Sequence, residues 1–304
     1  VPVCAPQRFG LQAKLRSLIF YRVMLLHRYF GSHALETLKE AKLKTTRITS
    51  FNDPFEFLFV TTGKLTAPMA RKYVLSRLKE PDFLQIVAHN FPGFSTAKNP
   101  KKFLEKNTPL IIANFVKNSD DIMQLPFKMR EEMADRSTRV VCFSNSAINP
   151  LDEILLWSHY ANKHEGVRIG FEFPKNIKFP FKIYKVEYTE KRLVIDVSQG
   201  MLDQTLGQAV VESAKMKSLA WKYEDEYRLI TYPDVCEHRT MPDSKKECFL
   251  TFEREWVKTI DFGVRYPEKE IELILNLLKT DYPKIVRRKA VFHKTEYALE
   301  YKEI

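Results

Sequence analysis

Leu151-Asp-Glu-Ile-Leu-Leu-Trp-Ser-His-Tyr-Ala161 passes through Asn162-Lys-His-Glu-Gly166 into Val167-Arg-Ile-Gly-Phe-Glu-Phe173. The change of period between its two halves decides the fold class. In the first half Trp157 and Tyr160 stand three apart, the spacing of one helical stripe. Asn149 or Asp152 supplies the start signal. The second half alternates and stops at Pro174, as a strand does. A helix followed directly by a strand also describes the flanks. Strands are expected at 23–29, 43–49, 139–144, 183–188, 227–231, 257–262, 285–292 and 297–301. Helices are expected at 32–42, 204–220 and 267–279. No regular alternation of parallel strand and helix emerges, so the class is α+β rather than doubly wound α/β.

Between residues 67 and 135 apolar side chains recur at helical spacing, interrupted by Pro81, Pro92 and the lysine-rich stretch 98–102. This reads as a helical insertion (67–135) within a single α+β domain covering 1–304. The chain of 304 residues is 44% hydrophobic and 29% charged, an ordinary globular balance. Its 9 glycines argue against glycine-rich phosphate loops. None of the common nucleotide-loop, zinc-protease or serine-hydrolase motifs is present.

Net charge is +11. Within residues 1–50, Arg8, Lys14, Arg16, Arg22, Arg28, Lys39, Lys42, Lys44 and Arg47 face only Glu36 and Glu40. That excess suits a phosphorylated small molecule, a nucleic acid or an acidic protein, or else is a solvated basic face. Cys4, Cys142, Cys236 and Cys248 are too few and too irregular for a disulfide framework, so a reducing, cytoplasmic setting is expected. The apolar run at 18–26 is broken by Arg22 and is far shorter than a bilayer span. No membrane partner and no signal peptide are expected. Cys236-x-His238 with Cys248 lacks a fourth ligand, so no metal site is assigned.

Three polar-aromatic segments carry the candidate chemistry. Phe51-Asn-Asp-Pro-Phe-Glu56 is a turn, because Pro54 drives Asp53 out of the helical region. Its Asn52, Asp53 and Glu56 either cap that turn or line a pocket. In 157–173, His159, Tyr160 and His164 are the functional candidates, while Trp157 fits a core stripe. Trp221-Lys-Tyr-Glu-Asp-Glu-Tyr-Arg-Leu-Ile230 places Glu224 and Glu226 two apart, on one face if both lie in a strand, with Arg228 following. Paired carboxylates repel, and a site that tolerates them uses them for charge or acid–base work. On an exposed edge they are only solubilising.

Leu26-His-Arg-Tyr29, Phe51–Glu56, Cys142-Phe-Ser144, Leu156–Tyr160, Gly166–Phe173 and Glu224–Leu229 stand in an order that resembles the domain-of-unknown-function 2971 family over about 24–304, least so in the helical section. That resemblance brings no established activity. A fainter one supplies a mechanism: Arg28, Ser144 and Glu224-x-Glu226 follow the order of the split-sheet ADP-ribosyltransferases, which need no glycine-rich loop. It implies a mixed, mostly antiparallel split sheet flanked by helices, with NAD as substrate. Arg28 would hold the pyrophosphate, and Tyr29 or Tyr160 would stack on nicotinamide. Glu226 would stabilise the oxocarbenium-like transition state, and Glu224 would orient the acceptor, a protein or a nucleic acid. Family members with His in the first strand carry it where Arg28 stands, whereas His27 is one residue off and on the opposite strand face.

The leading expectation is therefore ADP-ribosyl transfer or NAD cleavage, in a toxin or phage-defence setting. One alternative is a metal-dependent nuclease or phosphohydrolase using Asp53, Glu56, Glu224 and Glu226. The other is a non-catalytic ligand-binding module.

Overall fold

The computed structural model describes residues 25–63, 66–117, 135, 138–174, 182–196, 209–241 and 244–304. The chain enters through β1 (Leu25–Phe30), α1 (Ala34–Glu40), β2 (Lys42–Lys44) and β3 (Phe59–Thr62). Four helices follow: α2 (Ala67–Arg77), α3 (Pro81–Asn90), α4 (Pro92–Ser95) and α5 (Pro100–Lys117). Next come β4 (Arg139–Asn145), α6 (Pro150–Tyr160), β5 (Val167–Glu172), β6 (Lys182–Lys185), β7 (Glu187–Thr189), β8 (Leu193–Asp196) and β9 (Met216–Ser218). The chain closes with β10 (Glu226–Thr231), β11 (Glu237–Thr240), β12 (Lys246–Thr251), β13 (Val257–Phe262), α7 (Glu268–Asp281), β14 (Val286–Phe292) and β15 (Leu299–Glu303).

Eight strands form one sheet in the order β15-β14-β13-β5-β1-β4-β10-β6. Its neighbours are antiparallel except β13 and β14, which run parallel on either side of α7. The fold is α+β around a mixed, mostly antiparallel sheet. β1 pairs with β5 along its whole length, but with β4 only at Leu26↔Asn145 and His27↔Ser144. β4 then pairs with β10 over six positions. The sheet therefore parts between β1 and β4 beyond His27. Arg28 spans the parting, donating from Nη1 to the Cys142 carbonyl (3.0 Å) and from Nη2 to that of Lys44 (3.4 Å).

One face of the sheet is apolar. Leu26, Phe30, Phe143, Ile169, Phe171 and Phe262 pack with Leu38 of α1 and Ile274 and Leu278 of α7. Each such side chain contributes about 1.5–3 kcal/mol by leaving water. Helices α2, α3 and α5 share a separate apolar cluster that includes Ala70, Val74, Phe83, Val87, Ile111 and Ile112. No helix among the described residues is long and apolar enough to cross a membrane.

On the polar face, Arg168 of β5 is buried between carboxylates. Its Nε donates to Asp261 Oδ2 (2.8 Å) and its Nη1 to Glu153 of α6. Asp261 also accepts from Arg288 of β14 at 2.5 and 3.1 Å. Trp157 Nε1 donates to the Tyr301 hydroxyl (2.9 Å), while the Arg168 guanidinium lies 4.3 Å from the Tyr301 ring centroid. Removing any one partner would leave an uncompensated buried charge, so the network fixes α6 against β5, β13 and β14.

The connection from α6 to β5 is a left-handed turn. Asn162, Lys163 and His164 all have positive φ (46, 55 and 72°). Phe30 O approaches so closely that a Cβ on Gly166 would lie 2.0 Å from it. His164 stacks on Trp157 with ring centroids 6.2 Å apart, and its Nε2 lies 3.0 Å from Ser158 Oγ.

Several elements differ from the sequence-based expectation. The helix expected at 204–220 is helical over 209–213, then gives way to β9 and a 3-10 turn at Leu219–Glu224, while 204–208 lie outside the described residues. Parallel pairing of β9 with β7 supplies the ladder that overrides helical propensity there. The expected strand at 43–49 shortens to β2, a bridge from Thr46 to Val140 and a 3-10 turn. The strand expected at 183–188 divides into β6 and β7. β11 and β12, which pair with β2 in a three-stranded sheet, have no counterpart among the expected elements. The last part of the expected helical insertion, at 118–134, lies outside the described residues.

Candidate functional site

Directly paired residues of antiparallel strands project to the same face of a sheet. His27 of β1 pairs with Ser144 of β4, and Ser144 pairs with Glu226 of β10. The three side chains therefore form a row across the centre of the polar face. Sequence order had aligned Arg28 with Ser144 and Glu226; the register puts His27 in that row instead. Arg28 projects from the other strand face and reaches the same region through the parting between β1 and β4.

The row lies in a cavity of about 400 Å³, also lined by Arg28, Tyr29, Asn52, His159, Tyr160, Lys217 and Glu224. That volume is in the range of small-molecule sites. His27 is buried, and neither ring nitrogen has a hydrogen-bond partner. Burial, followed by the charges of Arg168 and Arg288, lowers its pKa to about 2, so it is a neutral donor and acceptor. Arg28 sits in the wall bonded to main-chain carbonyls, and burial lowers its pKa.

Lys217, Glu224 and Glu226 in the wall form, with Glu56 and Arg228 behind them, a buried cluster of three carboxylates and two cations. Arg228 grips Glu226 with both arms of its fork, Nε to Oε1 (2.8 Å) and Nη2 to Oε2 (2.9 Å). It also donates to Glu56 and to the Ala214 carbonyl (3.0 Å), and its guanidinium lies 5.2 Å from the ring centroids of Phe51 and Phe57. Lys217 Nζ donates to Glu224 Oε2 (2.6 Å) and Glu226 Oε2 (3.2 Å) and lies 3.1 Å from Glu56 Oε1. The Tyr160 hydroxyl donates to Glu224 Oε1 (2.6 Å). The backbone N–H of Glu226 donates to the Tyr188 hydroxyl (2.8 Å).

The electrostatics separate the two cavity carboxylates. Burial pushes Glu226 up, but the Arg228 charge and fork outweigh it and hold Glu226 below the usual carboxylate range. Burial pushes Glu224 up, only partly opposed by Lys217, so its net shift is upward. Burial and the Glu224 charge also hold the Tyr160 phenol above its ordinary value. For Lys217 burial is overcome by Glu226, Glu56 and Glu224, and its pKa rises. A firmly ionised carboxylate beside one of higher pKa is the arrangement that divides charge stabilisation from proton transfer.

Glu224 and Glu226 converge by a route other than strand alternation. Glu224 ends the 3-10 turn and Asp225 adopts a left-handed conformation (φ 39°), so only Glu226 lies in β10. Lys217 draws the two together. Of the remaining candidates, Asn52, His159 and Tyr160 line the cavity. Tyr29 also lines it, with its ring edge-on to Trp157 (5.3 Å). Glu56 and Arg228 stand behind Glu226. Asp53 is buried in its own turn, Oδ1 accepting from Phe55 N (2.9 Å), and His164 belongs to the left-handed turn; neither lines the cavity. Lys217, one of three lysines at 215, 217 and 222 with no motif to single it out, is not legible in the sequence, and the sequence places His27 outside the row.

Among the described residues no three His, Cys, Asp or Glu side chains are placed to hold a metal ion. Residues 156–229 match a family described as "Protein of unknown function (DUF2971)". That stretch contains His159, Tyr160, Lys217, Glu224, Glu226 and Arg228, while His27, Arg28 and Ser144 precede it. No curated protein and no solved structure matches the chain.

Proposed function

We propose that the cavity binds NAD and cleaves its nicotinamide–ribose bond, transferring ADP-ribose to an acceptor or to water. The observation that carries this reading is the row His27–Ser144–Glu226 in one cavity with Arg28, which joins an anion-binding end to an ionised carboxylate. Arg28 meets the pyrophosphate with charge-assisted hydrogen bonds. His27 and Ser144 offer neutral hydrogen-bonding groups between the two ends. Glu226, fixed by Arg228, faces the anomeric carbon.

As the bond between C1′ and the pyridinium nitrogen breaks, its electron pair stays with that nitrogen and neutralises the ring. Positive charge develops on C1′ and the ribose ring oxygen, where Glu226 stabilises it electrostatically. The acceptor lone pair then forms the new bond at C1′, and the acceptor proton passes to Glu224. Its raised pKa makes Glu224 a better proton acceptor than the firmly ionised Glu226. The products are nicotinamide, the ADP-ribosylated acceptor and one proton.

Support for metal-assisted hydrolysis is weaker, because Lys217 and Arg228 already occupy the space between Glu56, Glu224 and Glu226. Calorimetric titration with NAD tests the reading. Saturable one-to-one binding is expected, weakened roughly tenfold or more in Arg28→Lys, which keeps the charge but loses the fork. Absence of binding, or equal affinity in both proteins, overturns it.

A further inference from the structure

A second cavity, of about 310 Å³, lies on the other side of Lys217 and is lined by Phe55, Thr189, Lys191, Arg192 and Ser218 among others. Lys217 belongs to the walls of both cavities. A ligand in the second is thus one side chain away from Glu226.

The Phe51–Glu56 turn explains its shape. Asp53 accepts from Phe55 N, and Phe57 takes a left-handed conformation (φ 60°). Glu56 and Phe57 consequently turn inward to Arg228, while Phe55 is thrust outward with 62% of its surface exposed. The informative surface residue is a large aromatic held in water while Asp53, Glu56 and Phe57 of the same turn are buried. The Arg192 guanidinium lies 5.8 Å from the Phe55 ring centroid. Lys191 and Arg192 are exposed, and neither pairs with a carboxylate among the described residues. Among the described residues Glu190 is the one acid lining this cavity.

We infer that this cavity seats a single-stranded nucleic-acid segment. Phe55 supplies a ring face on which a base stacks, the Arg192 guanidinium lies over the same ring as a cation, and Lys191 with Arg192 meets the flanking phosphates. The net charge of +11 favours the same partner at longer range. A neutral or cationic ligand would gain nothing from the paired cations, and an acidic protein segment would not use the exposed ring. The site stands independently of the NAD reading, since it needs neither Glu226 nor NAD.

The experiment is fluorescence anisotropy of labelled 12-nucleotide DNA and RNA strands with the full chain, without NAD. Wild type and Glu226→Gln should bind alike. Phe55→Ala should weaken binding about tenfold. Lys191→Ser with Arg192→Ser should lower the slope of log affinity against log salt by roughly 1.4, the release expected for two phosphates. Both substitutions are at exposed positions, and unchanged melting temperatures certify the fold. Binding that ignores Phe55 and both cations overturns the inference, as does its absence. Equal competition by a polyglutamate peptide, with Phe55→Ala silent, would assign the surface to acidic proteins and overturn it as well.

Discussion

Replacing Lys217 by methionine isolates the electrostatics on which the site depends. The ammonium serves three buried carboxylates, Glu224 at 2.6 Å, Glu226 at 3.2 Å and Glu56 at 3.1 Å. Without it Arg228 still holds Glu226 and Glu56, but Glu224 keeps only the Tyr160 hydroxyl. Breaking a buried pair by removing one partner costs about 3–5 kcal/mol. Much of that cost is the burden of an ionised Glu224, whose pKa already lies above its ordinary 4.5 and rises further in the variant. A carboxylate with a raised folded-state pKa stabilises the fold fully below its unfolded pKa, and loses that contribution as pH rises through the folded value. The deficit of Lys217→Met should therefore be largest at pH 8. It should shrink towards pH 5, by up to about 1.4 kcal/mol for each unit by which the Glu224 pKa has risen. Urea denaturation of both proteins across pH 5–8 measures this. Adding Glu224→Gln should recover most of the pH-8 deficit, because the unpaired charge disappears. A deficit under about 1 kcal/mol, one that does not vary with pH, or one that Glu224→Gln leaves unchanged would mean that Lys217 does not hold the Glu224 charge.

Two further outcomes follow from other parts of the fold. His27 is held neutral, so the unfolded chain takes up a proton that the folded chain refuses, and this group alone removes up to about 1.4 kcal/mol of stability per pH unit below its ordinary 6.5. His27→Gln should abolish that component in urea denaturation between pH 4 and 7; an identical slope in the variant would show that His27 titrates normally. Gly166→Ala forces a methyl to within 2.0 Å of the Phe30 carbonyl oxygen, and thermal melts should show a loss of about 1–3 kcal/mol or more. Unchanged melting would mean that the α6–β5 turn is not fixed against β1.

Local patterns in the sequence reveal the elements, but the pairing between them decides the site. The run from Val167 reads directly as a strand because its hydrophobic period is its own property. Asn149 likewise announces α6, and its side chain accepts from Leu151 N (2.9 Å). The row at the cavity has no such signature. Whether His27 or Arg28 stands beside Ser144 is a matter of register, and a slip of one residue exchanges the two faces. β1 meets β4 at only two pairs, so neither strand's pattern specifies that contact strongly. Lys217 is harder still: it lies in a three-residue strand held by parallel pairing with β7, and its partners are 7, 9 and 161 residues away. The 51–56 turn was legible as a turn, whereas the outward aim of Phe55 depends on the left-handed Phe57 beyond it.

In the proposed reaction Glu226 stabilises charge developing on the ribose of NAD. Nicotinamide release at saturating NAD, compared between wild type and Glu226→Gln at a temperature where circular dichroism shows both proteins folded, tests that role. Loss of one preorganised electrostatic group costs about 10²–10³ in rate, so release should fall by at least that factor while NAD affinity changes little. Release by the variant at the wild-type rate, or no release by the wild type with any acceptor or water, would contradict it.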